Sequence, residues 1–122
     1  MGKVRDEART KAAEELYARL KPLQEAKGFF FNSDHSATLD ILDALLGLKK
    51  RYGYMACPCR LSTGVREIDK DICCPCEYRA DDVHEYDFCY CGLYTSAEAL
   101  KAGQKRRPVP ERRPVARTLA SL

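Results

Sequence analysis

In the first half of this chain, apolar side chains recur twice at helical spacing. Ala13, Leu16, Tyr17, Leu20 and Leu23 form one stripe, which predicts a helix over residues 5–27. Pro22 is expected to kink that helix or end its first segment, and Gly28 to stop it. Phe29-Phe30-Phe31 is too short for a helix and reads as a buried, strand-like connector. Asn32-Ser33-Asp34 then offers caps for a second helix at about 35–51, striped by Thr38, Ile41, Leu42, Leu45 and Leu48. Its last turn carries Lys49, Lys50 and Arg51, cations that suit the carboxyl end of a helix dipole, and Gly53 follows as the stop. Both stripes read as core packing.

From 54 to 94 this period is lost. Asp81-Asp82-Val83-His84-Glu85-Tyr86 has the composition of a single helical turn, and Thr95-Ser96-Ala97-Glu98 is a capping-box pattern opening a short helix that ends near Gly103. Pro108, Pro110 and Pro114 exclude a helix from the first half of the tail, which is expected to be extended. The fold class that follows is mainly α, a single small domain with helices around a cysteine-rich centre. Residues 1–103 are expected to form that catalytic domain and 104–122 a basic, proline-containing tail.

Composition changes the picture in two places. A length of 122 residues allows one domain with a modest core, which a metal centre would stiffen. The net charge of +3 is uneven: residues 104–122 carry +5 and the remainder −2. A basic tail on a mildly acidic body suits an acidic protein partner, with Lys105, Arg106, Arg107, Arg112 and Arg113 as docking candidates; the plainer alternative is a solvated tail. Aromatics are not interleaved with these cations, so nucleic acid is not an expected partner. The start, Met1-Gly2-Lys3-Val4-Arg5-Asp6, lacks an apolar secretory segment, and no run reaches the length of a membrane span. A cytoplasmic setting is expected, where clustered cysteines read as metal or catalytic groups.

All seven cysteines lie within 57–91, six of them as Cys57-Pro-Cys59, Cys74-Pro-Cys76 and Cys89-Tyr-Cys91, with Cys73 beside the middle pair. Zinc sites usually draw on C-x₂₋₄-C knuckles, whereas every pair here has one intervening residue. Four thiolates suffice for a [4Fe–4S] cluster, leaving three cysteines, of which two can form a redox disulfide. The first and third pairs would each offer one ligand and one redox thiol. A non-catalytic zinc or iron–sulfur interaction module remains the alternative. The seven glycines make no G-x-G-x-x-G fingerprint, so no nucleotide cofactor competes.

These three ordered pairs, with Phe30-Phe31-Asn32-Ser33-Asp34 upstream and Gly92-Leu93-Tyr94 downstream, resemble the catalytic (beta) chain family of ferredoxin–thioredoxin reductase. The likeness covers roughly residues 10–100 and suggests a variant acting as a single chain. It implies that Cys57, Cys74, Cys76 and Cys89 ligate a [4Fe–4S] cluster and that Cys59 and Cys91 form the redox disulfide. Cys59 would be the exposed attacking thiol and Cys91 its partner against the cluster. Ferredoxin would donate electrons, and thioredoxin or a similar dithiol protein would accept them. With potentials of about −400 mV and about −270 mV, transfer of two electrons is downhill by roughly 6 kcal/mol.

The chain departs from the family pattern in its intervals, 14 residues between Cys59 and Cys74 and 12 between Cys76 and Cys89, which call for different loops. Tyr90 stands where the family has histidine. A tyrosine of ordinary pKa is a poor base, so His84 folding back over the dithiol is one expectation and an ordinary surface histidine the other. His35 reads as a surface or capping residue. Cys73 reads as a buried spare thiol, with a register slip into the place of Cys74 as the alternative.

Overall fold

The computed structural model describes residues 5–122. The reading of the N-terminus as free of a secretory segment rests partly on Met1–Val4, which lie outside them. Helix makes up about 53% of the chain and the only sheet among the described residues has two short strands, so the fold is mainly α in one small domain.

Helix α1 spans Glu7–Glu25 and α2 spans His35–Tyr52, joined through β1, Phe30–Phe31. Both helices start on aspartate caps: Asp6 accepts from the Arg9 amide and Asp34 from that of Ala37. Pro22 lies inside α1, which runs past it and ends soon after at Glu25. Being near the carboxyl end, it costs little of the remaining ladder. The apolar stripe also turns out differently at that end. Leu23 is 60% exposed and Gln24 is buried in its place, as a 3.6-residue period counted on from Ala13, Tyr17 and Leu20 requires. In α2, Thr38, Leu39, Ile41, Leu42 and Leu45 are buried, and Gly53 ends the helix at φ +87°. The two helices lie side by side, with Ala13, Leu16, Leu42 and Leu45 in one core and the Arg9–Asp43 ion pair across its edge.

Beyond α2 the chain folds through α3 (Arg66–Asp69), which runs into a 3₁₀ turn at Lys70–Ile72. Then follow α4 (Arg79–Tyr86), β2 (Tyr94–Thr95), α5 (Ala97–Lys101) and α6 (Val115–Ala120). Helix α4 starts earlier than the single turn expected at 81–86. Ser96 caps α5 as its capping-box position predicts, accepting from the Ala99 amide. Strands β1 and β2 pair antiparallel, Phe30 with Thr95 and Phe31 with Tyr94, which ties the aromatic connector to the segment after Cys91.

The tail is extended over 104–113, as expected, but it is packed on the body. Val109 and Arg113 are buried in it. Arg113 Nε meets Asp71 at 2.8 Å with both side chains 1% exposed, and Arg112 pairs with the buried Asp82 and with Glu85. Glu111 accepts three N–H bonds from Arg60 at 2.8–3.1 Å. The solvated-tail alternative therefore fails for this segment. Arg112 and Arg113 are spent on internal pairs and drop out as docking cations.

Candidate functional site

Backbone pairing brings the cysteine pairs together. The Cys57 amide donates to the Ile72 carbonyl at 2.8 Å and the Cys74 amide to that of Met55 at 2.7 Å, so the first two pairs are zipped antiparallel. The third pair sits on a tight turn. There the Gly92 amide donates to the Cys89 carbonyl, the Cys89 amide to that of Tyr94, and the Tyr94 amide to Cys89 Sγ at 3.3 Å. Gly92 takes φ +78°, and the Arg106 side chain lies where a Cβ would project. Asn32 fastens the turn to β1 by donating from its side chain to the Gly92 carbonyl at 3.1 Å.

These constraints converge on one open cleft of about 270 Å³, which Cys57, Cys74, Cys76, Cys89 and Cys91 all line. The four thiols expected as ligands are thus on one wall system with one redox thiol. Cys59, the other thiol expected in the disulfide, is exposed, and Cys91 Sγ lies 3.8 Å from Cys89 Sγ. All seven cysteines are free thiols, Cys59 and Cys91 included. Cys73 does not line the cleft; its half-buried thiol donates to the Asp69 carbonyl at 3.5 Å, so no register slip occurs.

The two thiols expected to form the redox disulfide are electrostatically unlike. Cys59 is lowered to about 6, first by the hydrogen bond from Cys91, against burial, and then by the Arg106 and Arg60 charges. Cys91 is held well above its ordinary value because its proton is shared with Cys57, Cys59 and Cys89 and because it is buried. Cys89 falls to about 7 through the Cys91 thiol and the amides of its own turn, against burial. Burial pushes Cys74 and Cys76 up. Cys59 is thus the one exposed thiol whose pKa is lowered, Cys57 and Cys89 being lowered but buried.

Two arginines of the cleft escaped the sequence reading. The Arg60 side chain, 2% exposed, lies 4.4 Å over the Tyr90 ring and donates from Nη1 to Cys76 Sγ at 3.4 Å. Arg79 lies 3.8 Å over the Phe29 ring and 4.7 Å over that of Tyr94, and donates to Gln24. The only hint in the sequence was the position of Arg60 directly after the first pair. Tyr90 is committed to Arg60, and its carbonyl accepts from Arg106 at 3.4 Å. His84 is exposed on α4 and does not line the cleft, so it does not fold back over the dithiol. His35 is a surface residue bonded to Glu14 at 3.0 Å.

An all-sulfur donor set beside two buried cations suits an anionic iron–sulfur group, which four cysteine thiolates typically hold. Among the described residues, no three Cys, His, Asp or Glu side chains are grouped to hold a single metal ion. The family of the ferredoxin thioredoxin reductase catalytic beta chain matches residues 6–113 of the 122. The chain belongs to that family. It is accordingly the catalytic chain of an oxidoreductase whose chemistry is the redox reduction of disulfides. The match runs past the last cysteine pair and includes the segment carrying Arg106, Glu111 and Arg113. No curated protein is significantly similar to the chain. No helix among the described residues is long and apolar enough to cross a membrane.

Proposed function

We propose that this ferredoxin–thioredoxin reductase chain is an iron–sulfur disulfide reductase. Electrons would pass one at a time from ferredoxin, through a [4Fe–4S] cluster held by Cys57, Cys74, Cys76 and Cys89, to a Cys59–Cys91 disulfide that reduces thioredoxin or a similar dithiol protein. Residues 1–103 carry these groups and 104–122 brace them, in a cytoplasmic setting. The observation that carries the reading is the convergence of five thiols on one cleft, with the sixth, Cys59, exposed beside Cys57 in the first pair.

The cluster, when bound, supplies single electrons to the adjacent disulfide. The residues of this chain do the rest. Two electrons and two protons convert the Cys59–Cys91 bond into two thiols. Cys59, the exposed member, attacks one sulfur of the target disulfide as the thiolate, forming a mixed disulfide and releasing one target thiolate. Cys91, buried, then attacks the Cys59 sulfur. The second target thiolate leaves and the Cys59–Cys91 bond is restored. Burial of Cys91 keeps solvent and foreign thiols from competing for that second step. The Tyr90 ring carries Arg60 on one face, and its phenol is not the ring-nitrogen base that histidine would supply.

Lys105, Arg106 and Arg107, exposed on the strap beside the cleft, are the cations available to an acidic electron donor. The deciding experiment is anaerobic purification with iron and sulfide analysis, combined with Cys59→Ser. About four irons and four sulfides per chain are expected, retained in the variant while thioredoxin reduction is lost. Colourless protein with stoichiometric zinc, or a Cys59→Ser variant that turns over at the wild-type rate, overturns the reading.

A further inference from the structure

The Arg60–Glu111 pair spans a long sequence interval to reach one sulfur, and its hydrogen bond to that sulfur has no part in the disulfide exchange itself. Arg60 follows the first cysteine pair directly, and its guanidinium is sandwiched by Tyr90 at 4.4 Å and Tyr78 at 5.2 Å. Its Nε and Nη2 are held by both carboxylate oxygens of Glu111, which leaves Nη1 pointing at Cys76 Sγ at 3.4 Å. Burial of an arginine is costly unless every face is satisfied, and here rings, carboxylate and sulfur together satisfy it. Glu111 is in turn fixed by accepting from the Arg113 amide at 2.9 Å, next to the buried Arg113–Asp71 pair. The strap thus aims a rigid donor at one thiol of the cleft.

We infer that Arg60 is a positioning residue that hydrogen-bonds the Cys76 sulfur, and that Glu111 on the C-terminal strap is the anchor that keeps it aimed there. This inference rests on Cys76 being a cluster ligand. A donor on a ligand sulfur stabilises the more electron-rich state of the cluster and raises its potential, as outer partners of metal ligands commonly do. The strap therefore sets the potential of the centre as well as covering it. A lysine, with a single point charge, cannot grip a carboxylate and a sulfur together as the guanidinium fork does.

The test is the midpoint potential of the iron–sulfur signal in the full-length protein carrying R60Q, R60K, E111Q and the R60Q/E111Q double substitution, with iron content measured alongside. Iron per chain is expected at the wild-type value in E111Q, because the side chain is partly exposed and glutamine keeps one oxygen to accept from the buried Arg60. The potential is expected to move to more negative values in both R60Q and E111Q, and in the double variant no further than in R60Q alone, since the two act through one contact. R60K, keeping the charge, recovers part of the shift. If R60Q fails to fold, E111Q and R60K still decide. An unshifted potential in iron-replete R60Q or R60K removes the hydrogen-bond role. A shift to more positive values in E111Q, the result of simply deleting a negative charge beside a stationary arginine, removes the anchor role. Wild-type protein without iron takes this inference and the proposed function down together, whereas an iron-replete protein with unshifted variants overturns this inference alone.

Discussion

The paired helices α1 and α2 and the cysteine cleft are held together by different physics. Between the helices the contacts are hydrocarbon: Ala13, Leu16, Leu42 and Leu45 are at most 5% exposed, and ion pairs only edge the seam. Around the cleft the buried groups are thiols, arginines and carboxylates, and the contacts that fix them reach across the chain to the strap. Arg60 finds Glu111, Asp71 finds Arg113, and Asp82 finds Arg112. Packing of the first kind is forgiving of detail and strict about volume. Packing of the second kind fails when one partner is removed, because the other is left buried and uncompensated.

That contrast is most sharply tested at Arg113, far from the helical core. Arg113→Met leaves the buried Asp71 with only the Tyr78 hydroxyl and the half-exposed Arg117 at 3.5 Å, and a loss of about 3 kcal/mol is expected in thermal or denaturant unfolding. A neutral result would mean that the strap is ornamental. Leu42→Ala, in the fully buried seam, is expected to cost about 2–5 kcal/mol while iron content and turnover per folded molecule stay at wild-type values. Loss of iron in that variant would blur the division between the two regions.

Acid should act on the cleft half selectively. Asp69 and Asp71 are buried, which raises their pKa, but hydrogen bonds outweigh this and hold both below the ordinary carboxylate value. The donors are Tyr54, Thr63 and Gly64 for Asp69, and Arg113 and Tyr78 for Asp71. Carboxylates so depressed stabilise the fold fully above the unfolded pKa of about 3.9, and that stability is lost as pH falls through the lower folded values. Unfolding temperature is thus expected to fall steeply below about pH 4, and Asp71→Asn to lower stability at pH 7 while flattening the acid limb. An equally steep limb in Asp71→Asn would remove Asp71 from the account.

The smallest expected effect lies at the rim. Replacing Lys105 and Arg107 with alanine is expected to raise the KM for ferredoxin several-fold at low ionic strength and to weaken its salt dependence. Deleting the whole tail would not test this, because it also removes Glu111, Arg112 and Arg113 from beneath the cleft. A KM that ignores ionic strength in both proteins would take these cations out of donor docking.

The helical half was legible in the sequence because one hydrophobic period carries it. Even its error, Leu23 for Gln24, is a matter of following that period one turn too loosely past Pro22. The cysteine cleft was legible as a set of pairs, and all five lining thiols were among those singled out. The polar frame was not. Arg60, Asp71 and Arg113 look like surface charges in any window of sequence, and their partners lie tens of residues away, where no periodicity links them. The tail therefore read as a free cationic arm, although it closes the fold.

The bend after Cys91 shows how tightly the strap and the third cysteine pair are matched. A methyl group at residue 92 would meet the outer part of the exposed Arg106 side chain, which would have to move aside. An alanine at that corner would meet a strained left-handed backbone and would also have to evict the guanidinium from the Tyr90 carbonyl. The smallest residue in the protein thus serves as the keyhole through which the carboxyl-terminal arm reaches the backbone of the third cysteine pair.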